Sequence, residues 1–578
     1  MYYTDERNVQ IVIELMKEYG VKKIVASPGT TNITFVGSIQ QDPYFEIYSS
    51  VDERSAAYIA CGLAVESGEP VALSCTGATA SRNYFPGLTE AYYRNIPILA
   101  ITSTQSVYKV SSYEPQVIDR SILPKDVAKI SVHLPVINTA DDEWYCTVQA
   151  NKAMMAFADS YQGPIHINLE TSYSRNFSIK EILPVRKIKK ISIHDAPPSI
   201  KDGKIGIYVG SHFKWSDELI QAVETFCEIY DAAVFCDHTS NYTGKFKVLV
   251  PLISNQVNSL DKILKVDTLI HIGNVSGAYF SISSNNLWRV HPDGEIRDLY
   301  RNTHYIFAMR EIDFFEKYIN LKEAVNYKSQ YAVSLQNDYK DILSKIPEIP
   351  FSNIWIAQQT ADKLPKNSVI HFGILNSLRA WNFFEIDNSI VCYSNTGGFG
   401  IDGCVSSLIG ASLYDSSKIY FGIVGDLAFF YDMNSIGNRH TGKNIRLMII
   451  NNGCGTEFKN YNHLAAKFEK EGDKYMAARG HFCHKSKNLI KNYAENLGFK
   501  YISASNKKEY LEKVNIFLDS GINDKSIIFE VFTDSKAESD ALKIIHNIKN
   551  TFGVSTAKSL IKSTLGEKGF NKIKNFIK

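Results

Sequence analysis

Asp426 and Asn452 are the residues of this 578-residue chain whose types and setting best suit metal chemistry. Gly425-Asp426-Leu427 follows a short apolar run at residues 419–424. Asn451-Asn452-Gly453-Cys454-Gly455 follows a second apolar run at 445–450. Asp426 offers a carboxylate, Asn452 a side-chain carbonyl, and the bend around Gly453 and Gly455 can turn a main-chain carbonyl inward. Three hard oxygens leave positions for phosphate and water, which is how Mg²⁺ is commonly held, at about 2.0–2.1 Å in octahedral geometry. Taken singly, Gly-Asp after a strand reads as a turn and Asn-Asn-Gly as a loop. The two apolar runs read as buried parallel strands, with residues 427–440 as the helix between them. Both polar clusters then stand at the carboxyl ends of their strands, where open α/β sheets bind ligands.

Two further clusters carry reactive or flexible groups. Asp52-Glu53-Arg54-Ser55 stands at a strand end and opens a helix, where acids are favourable at the positive end of the helix dipole. Ser394-Asn395-Thr396-Gly397-Gly398-Phe399-Gly400-Ile401-Asp402-Gly403 is rich in glycine, which lets backbone approach a ligand closely or simply makes a flexible loop. Arg82, Arg120 and Arg379 are the cations suited to a substrate carboxylate or phosphate.

The elements around these clusters alternate. Residues 5–20 have helical spacing that stops at Gly20; strands follow at 21–26, 45–49, 71–75 and 96–102, with a helix at 56–67. A basic, Pro-containing stretch at 179–199 reads as a linker, and alternation resumes over 200–320. A last set of strands begins near 369, 389, 419, 445 and 526. Such alternation means doubly wound, mostly parallel sheets. The length allows about three domains, expected at 1–180, 200–330 and 350–548, with a basic helical tail at 549–578. No GxGxxG follows a strand in the middle region, so a dinucleotide is not expected there. A net charge of +2 with 21% charged residues gives no electrostatic case for nucleic acid or an anionic membrane. Nine scattered cysteines without CxxC pairs, no secretory leader and no run of 18 apolar residues lead to the expectation of a cytoplasmic protein.

Gly-Asp followed after roughly two dozen residues by Asn-Asn resembles the diphosphate-and-metal signature of thiamine-diphosphate (ThDP) enzymes, of the acetolactate synthase/pyruvate decarboxylase superfamily. Within it the chain is most similar to the menaquinone-pathway synthases that transfer a succinyl group from 2-oxoglutarate to isochorismate. Ser27-Pro28-Gly29, Asp52-Glu53-Arg54-Ser55-Ala56, Pro86-Gly87-Leu88-Thr89-Glu90-Ala91, Gly400-Ile401-Asp402-Gly403 and Gly425-Asp426-Leu427 echo them, over roughly residues 5–540. The resemblance implies pyrimidine-binding, central and diphosphate-binding domains, with ThDP and Mg²⁺ as cofactors. Asp426, Asn452 and the Cys454 carbonyl would bind the metal, Cys454 standing where the family usually has Gly. Gly400, Ile401, Gly425, Leu427, Ala428 and Phe458 would contact ThDP, Ile401 as the wedge between its rings. Glu53 would hydrogen-bond the aminopyrimidine, Gln116 would be the substrate-side glutamine, and Glu457 would stand near the catalytic pocket. Two domains meeting across a cofactor imply a homodimer or homotetramer.

The family's substrate-gripping arginines are matched here by Thr31, Gln105, Trp381 and Thr396. An acceptor less anionic than isochorismate, such as a sugar or other carbonyl compound in a specialised pathway, and hence an enzyme other than that synthase, is therefore expected. The paired His of simple decarboxylases is absent near residues 113–116. The reading is a carboligase joining a decarboxylated 2-oxo acid to a second small molecule. A 2-oxo acid decarboxylase releasing aldehyde, and an idle ThDP-fold binding protein, are the competing readings.

Overall fold

The structure is a computed structural model that describes residues 2–157, 163–213, 215–256, 264–278, 282–321, 330–482 and 485–550. The chain forms two compact units, residues 1–195 with 292–308 and residues 196–291 with 309–578. The expected basic tail lies outside the described residues from 551 onward.

In the first unit β1 (Lys23–Ala26), β2 (Glu46–Ser49), β3 (Val71–Thr76), β4 (Ile98–Thr104), β5 (Ile130–Leu134) and β6 (Ile165–Glu170) form one parallel sheet, ordered β2-β1-β3-β4-β6-β5. Its central strands are largely apolar because both faces are covered, whereas the edge strand β2 is mostly exposed. Ile24, Leu99 and Ile101 face one core with Val9, Val12 and Met154, while Val25, Ile98 and Ala100 face another with Ala57, Ala60 and Leu88. Successive residues serve opposite faces, the period of two that a doubly wound sheet requires.

The stretch expected as a linker at 179–199 instead carries β7 (Lys189–Ser192), and Arg186 donates to Asp298 Oδ2 at 2.6 Å within the same unit. Its lysines read as solvated, but Ile188 between them is fully buried and ties the strand to the core.

In the second unit β8 (Ile205–Val209), β9 (Ala232–Cys236), β10 (Lys247–Leu249), β11 (Leu264–Ile272) and β12 (Ile282–Val290) are ordered β10-β9-β8-β11-β12, again in parallel. β13 (Thr303–Ala308) belongs to the first unit, where it pairs in parallel with β7. A third parallel sheet follows in the second unit: β14 (Val369–Phe372), β15 (Val391–Ser394), β16 (Tyr420–Gly425), β17 (Ile445–Asn451), β18 (Lys500–Ala504) and β19 (Ile527–Phe532), ordered β15-β14-β16-β17-β19-β18. The fold is thus α/β with three parallel sheets, and no helix of the described residues is long and apolar enough to cross a membrane.

The helix after β16 is shorter than its spacing predicts. It runs Asp426–Asp432 and gives way to a 3₁₀ turn, Met433–Gly437, instead of reaching residue 440. The Asp432 carboxylate accepts hydrogen bonds from Ser406 N–H and Ser406 Oγ at 2.5 Å each, which fixes the helix end against a neighbouring helix. Conversely, the helix expected at 56–67 starts at Glu53, because Asp52 caps it by accepting from Arg54 N–H at 3.2 Å.

Candidate active site

β16 and β17 are neighbours in register, with Gly425 opposite Ile450. Asp426 and the Asn451–Gly455 turn therefore emerge side by side at the carboxyl edge of the third sheet. Gly453 adopts φ +71°, a left-handed conformation that glycine tolerates best, and its N–H donates to Asn451 Oδ1 at 3.2 Å. Asn451 is in turn anchored by donating to Glu530 Oε1 at 2.6 Å. The turn is thus fixed from behind, leaving Asn452 to face forward. Asp426, Leu427, Ala428, Gly425, Ile401, Asn452, Cys454, Glu457 and Phe458 line a single cleft. The site residues expected from separate parts of the second unit are brought together there, except Gly400, which precedes Ile401 in the chain and is not among the lining residues.

Asp426 is 4% exposed, and burial raises its carboxyl from 3.8 to about 7 against the opposing pull of the Leu427 and Gly453 N–H groups. A carboxylate held at such cost suits a cation. Asn452 Oδ1 is only loosely engaged by Cys454 N–H at 3.4 Å. Burial pushes the Cys454 thiol up, and Sγ lies 3.7 Å from Arg479 Nη2, so at neutral pH it is a protonated thiol and not an anionic ligand. Among the described residues no group of three or more His, Cys, Asp or Glu side chains is arranged to hold a metal. One carboxylate with neutral oxygens fits a hard cation that completes its shell with phosphate and water.

Two acids at the cleft have fates the sequence does not reveal. Glu457 is held by Arg379, whose Nη1 and Nη2 donate to its two oxygens at 2.8 and 3.1 Å, while Asn460 Nδ2 donates at 3.2 Å. The catalytic acid and substrate cation expected at these positions are thus engaged with each other. Glu538 was not foreseen. It is buried in the helix Ser535–His546, lines the same cleft, and accepts from Asn353 N–H at 3.0 Å and Thr533 Oγ1 at 2.7 Å. Burial raises its carboxyl to about 7. One glutamate in a mixed helix carries no sequence signal that separates it from a solvated one.

Trp381 and Thr396 are not at the cleft. Trp381 is fully buried, lies tilted against Phe372 with ring centroids 5.7 Å apart, and donates Nε1–H to Asn353 Oδ1 at 3.3 Å. Thr396 is buried and donates to Ser211 Oγ at 3.3 Å. Both expected substrate positions are interior ones: a residue two places from Arg379 on a one-turn-and-a-half helix points to the opposite side, into the core.

In the first unit Glu53 opens its helix half-buried, and because Asp52 supplies the cap, its carboxyl has no protein partner among the described residues. Gln116 is exposed at φ +65°, in a segment where Ser111 and Tyr113 also have positive φ. Non-glycine residues in that region store strain, a recurrent feature of ligand-contacting loops. Gln105 accepts from Lys109 Nζ at 2.5 Å, and Thr31 Oγ1 donates to Ser103 O at 2.6 Å. Arg120 is 6% exposed; its Nη2 donates to Asn168 Oδ1, while Nε and Nη1 have no acceptor. Desolvation lowers it to about 10. Gly77 lets the guanidinium sit where it does, since a Cβ there would force Arg120 to shift. Arg82 donates Nη2–H to Asp119 O at 2.9 Å on the surface.

Residues 7–123 match the family described as thiamine pyrophosphate enzyme, N-terminal TPP binding domain. The whole chain is similar to proteins named 2-succinyl-5-enolpyruvyl-6-hydroxy-3-cyclohexene-1-carboxylate synthase. That of Bacteroides fragilis is 27% identical, covering 95% of this chain and 100% of its own length. Those of Bacteroides thetaiotaomicron and Phocaeicola vulgatus are each 28% identical, over 95% of this chain and 100% and 99% of theirs. Such full-length likenesses lend no support to the expectation of a different enzyme. Together with the matched domain and the cleft at Asp426, they support a ThDP-dependent enzyme of the superfamily that the motifs indicate.

Proposed function

We propose that the protein is a ThDP- and Mg²⁺-dependent synthase that decarboxylates a 2-oxo acid and joins the remainder to a second small molecule. The observation that carries this reading is the buried Asp426 carboxylate beside Asn452 on one cleft, two loops brought together by adjacent parallel strands. Asp426, Asn452 and the Cys454 carbonyl would hold Mg²⁺, which would supply positive charge for the cofactor's diphosphate. Glu538, near neutrality in its proton affinity, limits the negative charge that the diphosphate meets. Ile401 supports the cofactor from the opposite wall, and Phe458 closes the cleft with an apolar ring. ThDP, when bound, supplies the electron sink that makes loss of CO₂ feasible. Glu53, left partnerless by the Asp52 cap, holds or moves a proton at the aminopyrimidine nitrogen. Arg379 orients Glu457 at the cleft mouth, where Glu457 controls protons or excludes anionic groups.

The working unit is a homodimer or homotetramer in the cytoplasm, with domains at 1–180, 200–330 and 350–548. The resemblance carried by the motifs makes isochorismate with 2-oxoglutarate the first pair to test. A less anionic acceptor is the second reading, supported by the uncharged Thr31 and Gln105. The test is ¹³CO₂ release from a panel of 1-¹³C 2-oxo acids, with and without isochorismate, beside a Glu53→Gln control. Release from 2-oxoglutarate with a new C–C bond to isochorismate selects the first reading. Turnover of another donor, or ligation only to a neutral carbonyl, selects the second. Absence of ThDP-dependent release from every pair refutes both.

A further inference from the structure

Behind the cofactor cleft, still within the second unit, lies a second cavity of about 90 Å³ lined by Pro251, Gly277, Leu375, Arg379, Asn382 and His546. Leu375 faces both spaces. It does so with φ 61° and ψ −120°, a conformation that costs a non-glycine residue of order 1–3 kcal/mol and persists only where the surroundings impose it.

Asn382 Nδ2 and Arg379 bring donors to this wall, and His546 adds a third in its Nε2–H tautomer. Asn382 is fully buried, and its Oδ1 accepts from His238 N–H at 2.9 Å. That bond fixes the amide's orientation and leaves Nδ2–H₂ without an acceptor. His546 Nε2 is likewise buried without a partner. Arg379 spends Nη1 on Asn376 Oδ1 and Glu457, and one Nη2 hydrogen on Glu457, leaving Nε–H and the other Nη2 hydrogen uncommitted among the described residues. Two acceptors nearby already take hydrogen bonds from the protein. Pro251 O takes Asn255 Nδ2–H at 2.8 Å, and Glu457 accepts from Arg379 and Asn460. A water must both donate and accept, whereas a guest that only accepts matches the unpartnered donors Asn382 Nδ2 and the free edge of Arg379.

We propose that this cavity binds a small oxyanion of carboxylate size, held by Asn382 Nδ2, His546 and the free edge of Arg379. The space admits one carboxyl group with the carbon that bears it, and the uncommitted donors match its lone pairs. The carboxylate is either a free acid or the distal end of the 2-oxo acid, reached past Leu375. The cavity and its donors are the same whether or not ThDP is the cofactor.

The test uses the full-length protein without ThDP, titrated with sodium acetate against sodium chloride at equal ionic strength and followed by calorimetry. Asn382→Asp keeps the oxygen that accepts from His238 and puts an acceptor where the donor stood. His546→Phe removes the other donor and packs beside Phe383, whose ring centroid is 6.2 Å from that of His546. Saturable acetate binding to the parent, weakened about tenfold or more by either variant, with ThDP affinity unchanged in both, is the expected result. Acetate that raises the KM of the 2-oxo acid identifies the occupant as the donor's distal carboxylate; acetate that alters kcat without competing identifies a free effector. No saturable binding, or equal binding by parent and both variants, overturns the site and leaves a hydrated cavity.

Discussion

Replacing Asp426 with Asn should move the free and the cofactor-loaded protein in opposite directions. In the folded chain without metal, burial raises the Asp426 carboxyl from 3.8 to about 7. A raised carboxyl favours the fold while it is protonated, and that contribution is lost as pH rises through about 7. The distance from 3.8 to about 7 corresponds to about 4 kcal/mol, felt in full above pH 7 and absent below pH 4. The amide of D426N carries no such penalty, although the Leu427 and Gly453 N–H groups bond an amide oxygen less strongly than a carboxylate, so about 4 kcal/mol is an upper limit. Thermal unfolding of cofactor-free D426N at pH 8 should therefore begin several degrees above the parent, at about 2–4 °C per kcal/mol for a folding unit of 150–250 residues. At pH 4 the two should unfold together. Saturating ThDP and Mg²⁺ should then reverse the order. At a hundred times its dissociation constant a ligand adds about 2.7 kcal/mol to the parent, and D426N should gain almost nothing. Cofactor-free D426N no more stable than the parent at pH 8, or equal stabilisation of both by ThDP and Mg²⁺, would refute this account of the carboxylate.

Glu53→Gln should lower decarboxylation by about 10²–10⁴-fold. Its melting temperature should match the parent's, since the carboxyl has no protein partner to lose; a stability loss with activity retained would make Glu53 structural. Removing either member of the Arg379–Glu457 pair should cost about 1–3 kcal/mol through the partly buried charge left behind, and the double variant Arg379→Met/Glu457→Gln should recover part of it. Additive losses in urea melts would show that the pair is not coupled. Arg120→Met should leave stability level or improved, because it removes a buried guanidinium with no carboxylate beside it, and should raise the KM of an anionic substrate. Unchanged kinetics with a large stability loss would reduce Arg120 to a packing role. Glu538→Leu should disorder the start of the helix at Asn353, read as lost amide protection of Asn353 and neighbouring residues by hydrogen exchange; retained protection would place the anchor elsewhere.

Local patterning was enough to establish the α/β class, the strand-end loops and the pairing of Asp426 with Asn452. Buried parallel strands leave apolar runs in the chain, and turns after them require Gly, Asp and Asn, so both are written in neighbouring residues. Helix ends were less legible. The stop at Asp432 depends on Ser406, 26 residues earlier, and the start at Glu53 on whether Asp52 turns its side chain back to cap. What became of each charged or polar side chain was decided only by tertiary structure. Glu457 and Arg379 looked like independent catalytic and substrate groups, yet they lie 78 residues apart in the chain and in hydrogen-bond contact in space. Glu538 reads as a surface acid until the Asn353 N–H and the cleft enclose it. Trp381 reads as a replacement at a substrate position until its helix turns it inward. Proton affinity, pairing and access depend on burial and on partners from distant segments. Those are properties of the packed chain, and no spacing along it contains them.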